Sequence, residues 1–168
     1  MLGKVTTPTR RVGIRIPAVQ PPPALGTREN PFPIATGFTQ GDWGLVLSPT
    51  DTDAWPEIRT ANMFNEAPLN GWAYVTVPVT FTYRGATQEA PWLDVDIDFL
   101  GSDGVIYDRM SGDQWCGVIP NSSDDIDDLY PGASATGNEC AVVPTSAIVG
   151  GLWRISTEYD EYVFAKIA

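Results

Sequence analysis

The chain contains no histidine. That removes Ser-His-Asp triads, Cys-His pairs and nearly every zinc site with imidazole ligands. It has two cysteines, too few for a four-thiolate zinc site. No glycine-rich phosphate-binding loop is present. No apolar run approaches the ~18 residues of a membrane span. Charge is scarce, at 18% of residues, and basic residues are scarcest: 10 Lys and Arg against 21 Asp and Glu. Prolines stand where the apolar core of a secretory leader would be, so residues 1–25 are not expected to be one; either a leader was removed ahead of Met1 or none was used. Met1 reads as a natural start, so the chain is expected to have used no leader.

What is present is a β-rich composition. Hydrophobic residues make up 43% of the 168, far too many for a disordered chain. Fifteen prolines and sixteen glycines interrupt it too often for long helices. Many short strands joined by tight turns are expected instead. The length suits one domain of ordinary size with its own core.

The net charge of -11 is unevenly spread. Up to residue 30 the chain carries Lys4, Arg10, Arg11, Arg15 and Arg28 against Glu29 alone. The remainder holds five basic and twenty acidic residues. An acidic body repels phosphate backbones, so no nucleic acid is expected as a partner. A basic arm on an acidic body points to an arm that docks on something negative.

Two segments follow. Residues 1–25 form a basic, Pro-rich extended arm, with Pro21, Pro22 and Pro23 favouring a polyproline conformation. Within it Val12 to Ile16 alternates apolar and basic, a pattern that can add as a strand to a neighbour's edge. Lys4, Arg10, Arg11, Ile14, Arg15 and Ile16 are the candidate partner-binding residues. Residues 26–168 form the body. Strands are predicted at 38–40, 43–47, 72–83, 92–100, 105–108, 133–143, 152–159 and 162–167, with a short helix near 57–64. About eight short strands at near-regular spacing predict an antiparallel sandwich.

In the strongest strand Val75, Val77, Val79, Phe81 and Tyr83 form the core face. Pro78 cannot donate to a ladder, so the strand is expected to be an edge or bulged there. In the next strand Leu93, Val95, Ile97 and Phe99 point inward, leaving Asp94, Asp96 and Asp98 outside. Those aspartates do not fit a calcium loop, which needs Gly and Glu where Phe99 and Val105 stand. They read as a solvent face or as a surface for a basic partner.

Carboxylates are the remaining catalytic resource. They lie on strands or solvated loops with no evident means of raising one pKa, so no catalytic residue is expected. Asp124, Asp125, Asp127 and Asp128 are the densest cluster, and a flexible loop could gather them around calcium. A solvated loop is the default, so no metal or other cofactor is expected. Cys116 and Cys140 flank this loop, and an even pair reads as a disulfide or as two buried thiols. Trp55 and Trp115 fall in predicted loops and are the candidate exposed contact surface.

Several stretches in order carry a resemblance: LGTRENPFPIATGFTQGDW (25–43), NMFNEAPLNGWAYVTV (62–77), DVDIDFLGSDGVIYD (94–108), CGVIPN (116–121), LYPGASATGNECAVVP (129–144) and GGLWRIS (150–156). The body resembles the Ig-like domains of unknown function in actinobacterial secreted proteins, similar in fold to a secreted mycobacterial immunoprotective antigen. This resemblance implies an immunoglobulin-like antiparallel β-sandwich with a Cys116–Cys140 disulfide, no cofactor and no enzymatic activity. The arm departs from that family, whose members begin with a signal peptide and often a lipid-anchor cysteine. The departure leads to a phage-borne use: a virion accessory protein that decorates capsids by docking its arm on capsid subunits or neighbouring copies. The alternative is a secreted or cell-surface binding module of an actinobacterium.

Overall fold

A computed structural model describes residues 22–158 and 161–168. The arm residues Lys4, Arg10, Arg11, Ile14, Arg15 and Ile16 lie outside that range. Among the described residues, eight strands form two four-stranded antiparallel sheets. The first has the order β1 (Phe38–Gln40), β2 (Trp43–Leu47), β3 (Trp72–Tyr83), β6 (Ser134–Pro144). The second has the order β5 (Ile106–Tyr107), β4 (Asp96–Leu100), β7 (Leu152–Glu158), β8 (Glu161–Lys166). Three short helices join them: α1 (Trp55–Ala61), α2 (Pro91–Asp94) and α3 (Thr145–Ile148). The protein is an all-β sandwich, and none of its described helices is long and apolar enough to cross a membrane.

The core between the sheets follows period-two alternation. Val75, Val77, Val79, Phe81 and Tyr83 of β3 all face it, together with Leu45, Leu47, Ala141, Val143, Ile97, Phe99, Trp153 and Ile155. Two indoles anchor it, and each finds a polar partner for its N–H, as a buried Trp must. Trp43 Nε1 donates to Asp94 Oδ2 at 2.7 Å, and Trp153 Nε1 to Thr50 Oγ1 at 2.8 Å. Trp153 also meets Phe99 edge-on, with centroids 5.2 Å apart.

The strand expected over 92–100 begins later. Pro91 opens a single helical turn, α2, closed by Val95 N–H on Pro91 O at 2.8 Å. Proline suits a first helical position because its missing N–H is unpaired there anyway. The turn throws Leu93 outward, 60% exposed, where inward packing was predicted. Asp94 is exposed as expected, and one of its oxygens also accepts from the Trp43 indole. Asp98 is half-buried and pairs with Arg154 across β4 and β7, while Asp94 and Asp96 are exposed.

Pro78 lies in an interior strand, yet it is locally an edge. β2 ends at Leu47, paired with Val79, and Ser48 N–H then reaches Pro78 O at 2.9 Å. The ladder resumes at Asp51 and Thr76. The absent N–H therefore falls where β2 has turned away. On the second sheet, residues 26–33 lie along β8. Phe164 N–H bonds Gly26 O at 2.8 Å, Phe32 N–H bonds Phe164 O at 2.8 Å, and Lys166 N–H bonds Phe32 O at 2.9 Å. Phe32 stacks on Phe38 with ring centroids 4.4 Å apart, tying the two sheets together at that margin. Covering β8 and shortening β1 and β5 limits the exposed edge available for aggregation.

A second, smaller core covers the outer face of the first sheet. It comprises Ala54, Ile58, Tyr74, Cys116, Ile119, Cys140 and Val142. Tyr74, expected on a solvent face, is 2% exposed beneath α1. This layer positions the site described next.

Candidate functional site

Cys116 and Cys140 form a disulfide, with sulfurs 2.07 Å apart. It ties the loop after β5 to β6, over the outer face of the first sheet. Closing a loop with a sequence separation of 24 stabilises the fold by about 3–4 kcal/mol in the chain-entropy model. The bond also fixes where residues 109–118 lie.

Beside this loop runs the segment 62–71 that follows α1. Asn65 joins the two. Its Nδ2 donates to Ile58 O and to Val118 O, each at 2.8 Å, and its Oδ1 accepts from Val118 N–H at 2.9 Å. Gly117 makes that approach possible, since its φ is +75° and a Cβ there would collide with the Asn65 amide. Further along, Leu69 N–H donates to Gln114 Oε1 at 2.7 Å. Gly112 lies on the Trp72 ring, where a Cβ would come within 2.6 Å. Trp72 in turn meets Tyr107 edge-on at 6.1 Å. Two irregular segments are thereby joined by hydrogen bonds and ring contacts.

Between them is a cleft of about 660 Å³. Its walls include Phe64, Leu69, Met110 and Trp115, which are 84%, 59%, 69% and 54% exposed. Met63 and Val118 extend the apolar surface along the same segments. Glu66 and Asp113, both exposed, are the carboxylates of its lining, and among the described residues no Lys or Arg lines it. Tyr74 lies in the lining too, its hydroxyl donating to Glu66 O at 3.0 Å. Burial, and secondarily the Glu66 charge, raises the phenol above its ordinary pKa. Gln114 spends Oε1 on Leu69, and its buried Nε2 has no acceptor among the described residues. A buried donor without a partner is uncommon in a native fold.

Trp115 therefore stands where the sequence places it, on an exposed surface. Trp55 does not. It is half-buried, packed edge-on against Tyr74 with centroids 6.1 Å apart, because α1 turns it onto the second core. Asp124, Asp125, Asp127 and Asp128 line a different, more polar groove with Gln88, Trp92 and Tyr130. Asp124 turns to Arg109, and Asp128 accepts from Gln88 Nε2 at 2.9 Å. Among the described residues no three carboxylates or cysteines converge as metal ligands.

Phe64, Leu69 and Met110 were not singled out from the sequence. The signal was available: like Trp115, they are large apolar residues in stretches dense with Asn, Pro, Gly and Ser.

No family model matches the chain, and no curated protein matches it. Solved structures do. A conserved hypothetical protein from Bacillus anthracis is similar with a TM-score of 0.50 and 12% identity, over 80% of this chain and 95% of that one. The likeness is one of fold. An uncharacterised β-sandwich protein from Clostridium difficile 630 gives a TM-score of 0.49 and 9% identity, over 83% of this chain and 95% of that one.

Proposed function

We propose that the protein is a non-catalytic interaction module whose docking surface is the disulfide-backed cleft. One observation carries this reading: large exposed apolar side chains from two distant segments gather around one rigidly stitched depression. Clustered apolar exposure of this kind marks sites where a partner protein excludes water, and rigid aromatic anchors are the usual energetic centres. Glu66 and Asp113 do not suggest glycoside cleavage, because a general acid needs a carboxyl shielded from water and both are exposed.

In its finer form the proposal is an immunoglobulin-like virion accessory protein decorating a bacteriophage capsid, docking through its basic arm as a second contact beside the cleft. The strand order supports the Ig-like part: β3 lies beside β6 in one sheet and β4 beside β7 in the other, with β8 beyond β7. Such pairing is the Greek-key arrangement of that architecture. The disulfide departs from the antibody pattern, since it lies on the outer face of one sheet rather than between the two. The charge split between arm and body supports docking by the arm. The disulfide favours a second reading, a secreted or cell-surface module, because such bonds persist outside the reducing cytosol.

Fractionation of producing cells separates the two readings. Stoichiometric protein in gradient-purified particles, lost when residues 2–23 are deleted, supports decoration. Protein confined to the envelope or medium supports the second reading. If Trp115→Ala combined with Phe64→Ser leaves association unchanged in either fraction, the cleft is not the docking surface.

A further inference from the structure

We propose that the cleft receives residues 10–16 of a second copy of this chain, an inference that rests on the cleft being a protein-docking surface. The chemistry of the two parts is complementary. The cleft combines apolar walls with Glu66 and Asp113 and, among the described residues, has no Lys or Arg in its lining. The segment Arg10-Arg11-Val12-Gly13-Ile14-Arg15-Ile16 combines apolar and basic residues in alternation, with no acidic residue anywhere before Glu29. In an extended strand Val12, Ile14 and Ile16 share one side and meet the Phe64, Leu69, Met110 and Trp115 walls. Arg11 and Arg15 share the other and reach the carboxylates, with Trp115 available for cation–π contact.

Geometry selects a second copy over the same one. The described chain begins at Pro22 and soon runs along β8, at the margin of the second sheet. The cleft lies on the outer face of the first sheet, beyond β3 and β6. Residues 17–21 span about 18 Å at full extension. A path over the surface from the β8–β1 margin to β6 covers the sheet separation of about 10 Å and three strand spacings of about 4.8 Å, about 24 Å in all and beyond that reach. A neighbour's cleft can be reached without that detour. The contact is heterologous, arm into cleft, so copies add head to tail until a ring closes or a filament forms.

Sedimentation velocity on the full chain tests this, with two variants. The arm variant carries Arg10→Glu, Arg11→Glu and Arg15→Glu; the cleft variant carries Glu66→Lys and Asp113→Lys. The wild type should associate as concentration rises, with affinity falling about tenfold or more between 50 and 500 mM salt, as opposed charges are screened. Each variant alone should sediment as a monomer, and an equal mixture should yield a pair joined by the one intact arm and the one intact cleft. A wild type that stays monomeric at about 100 μM, well above the Kd of a weak specific contact, overturns the proposal, as does an arm variant that associates like wild type. A monomeric wild type whose association with particles or envelope still depends on Trp115 overturns self-docking alone. Loss of both dependences overturns the docking reading as well.

Discussion

Asn65 holds Val118 by both ends of its peptide, donating to the carbonyl at 2.8 Å and accepting from the N–H at 2.9 Å. A third bond, from the same amide to Ile58 O at 2.8 Å, ties the end of α1 into the arrangement. One side chain therefore does what a strand ladder does elsewhere, joining segments 53 residues apart. Asn65→Ala should lower unfolding stability by about 2–3 kcal/mol, since it strands the backbone groups of Val118. Asn65→Asp should be comparably costly at pH 7, because a carboxylate then faces two carbonyl oxygens. Urea denaturation measures both.

Removing the disulfide should uncouple the cleft before it unfolds the sandwich. Cys116→Ser with Cys140→Ser is expected to cost about 3–4 kcal/mol. Limited proteolysis should then cut within 109–118, while near-ultraviolet circular dichroism still reports the buried indoles of Trp43 and Trp153.

Glu139 supplies a pH dependence of unusual sign. It faces inward from β6 beside the hydroxyl of Ser123, with Asp124, Asp98 and Arg109 near it. Burial is the main cause that raises its carboxyl from 4.5 to about 7. The unfolded chain releases this proton near 4.5 while the folded chain keeps it to about 7. Stability from this group is thus intact below 4.5, declines across the interval and stays lowered above about 7. Glu139→Gln should flatten the decline and gain about 1–3 kcal/mol at pH 8. Thermal melts from pH 4 to 8 provide the comparison, and an unchanged slope in the variant rules the assignment out.

The bond between Trp43 and Asp94 should be measurable as a coupling. Asp94→Ala is expected to cost about 1–3 kcal/mol by leaving the buried indole N–H unpaired. Trp43→Phe removes the same donor, so the double variant should fall short of additivity by about 1 kcal/mol or more.

Exposed cleft residues should behave oppositely. Trp115→Ala and Phe64→Ser should each stay within about 0.5 kcal/mol of wild type. A loss above 2 kcal/mol would show that these side chains belong to the core rather than to a docking surface.

Much of the sandwich was legible in alternation. The Val75-to-Tyr83 face and the β7–β8 hairpin follow from period two, because one buried face imposes that pattern wherever a strand lies. The reading failed at Leu93, where four residues satisfy a strand and a helical turn equally and Pro91 selects the turn. It also failed at Tyr74 and Trp55, since nothing local says that a helix will cover the outer face of a sheet. The cleft was half visible: Trp115, Phe64 and Met110 each stand as large apolar residues in irregular stretches, but their meeting has no sequence period.

From the order of residues alone came the strand faces, the turns and the division into a basic lead and an acidic body, since each depends on neighbours in the chain. Only the folded molecule brought segment 62–71 against 109–118. That encounter depends on an amide reaching a distant peptide, a glycine that leaves room for it and a sulfur bridge to β6. Such contacts are made in space, and none leaves a periodic trace along the chain.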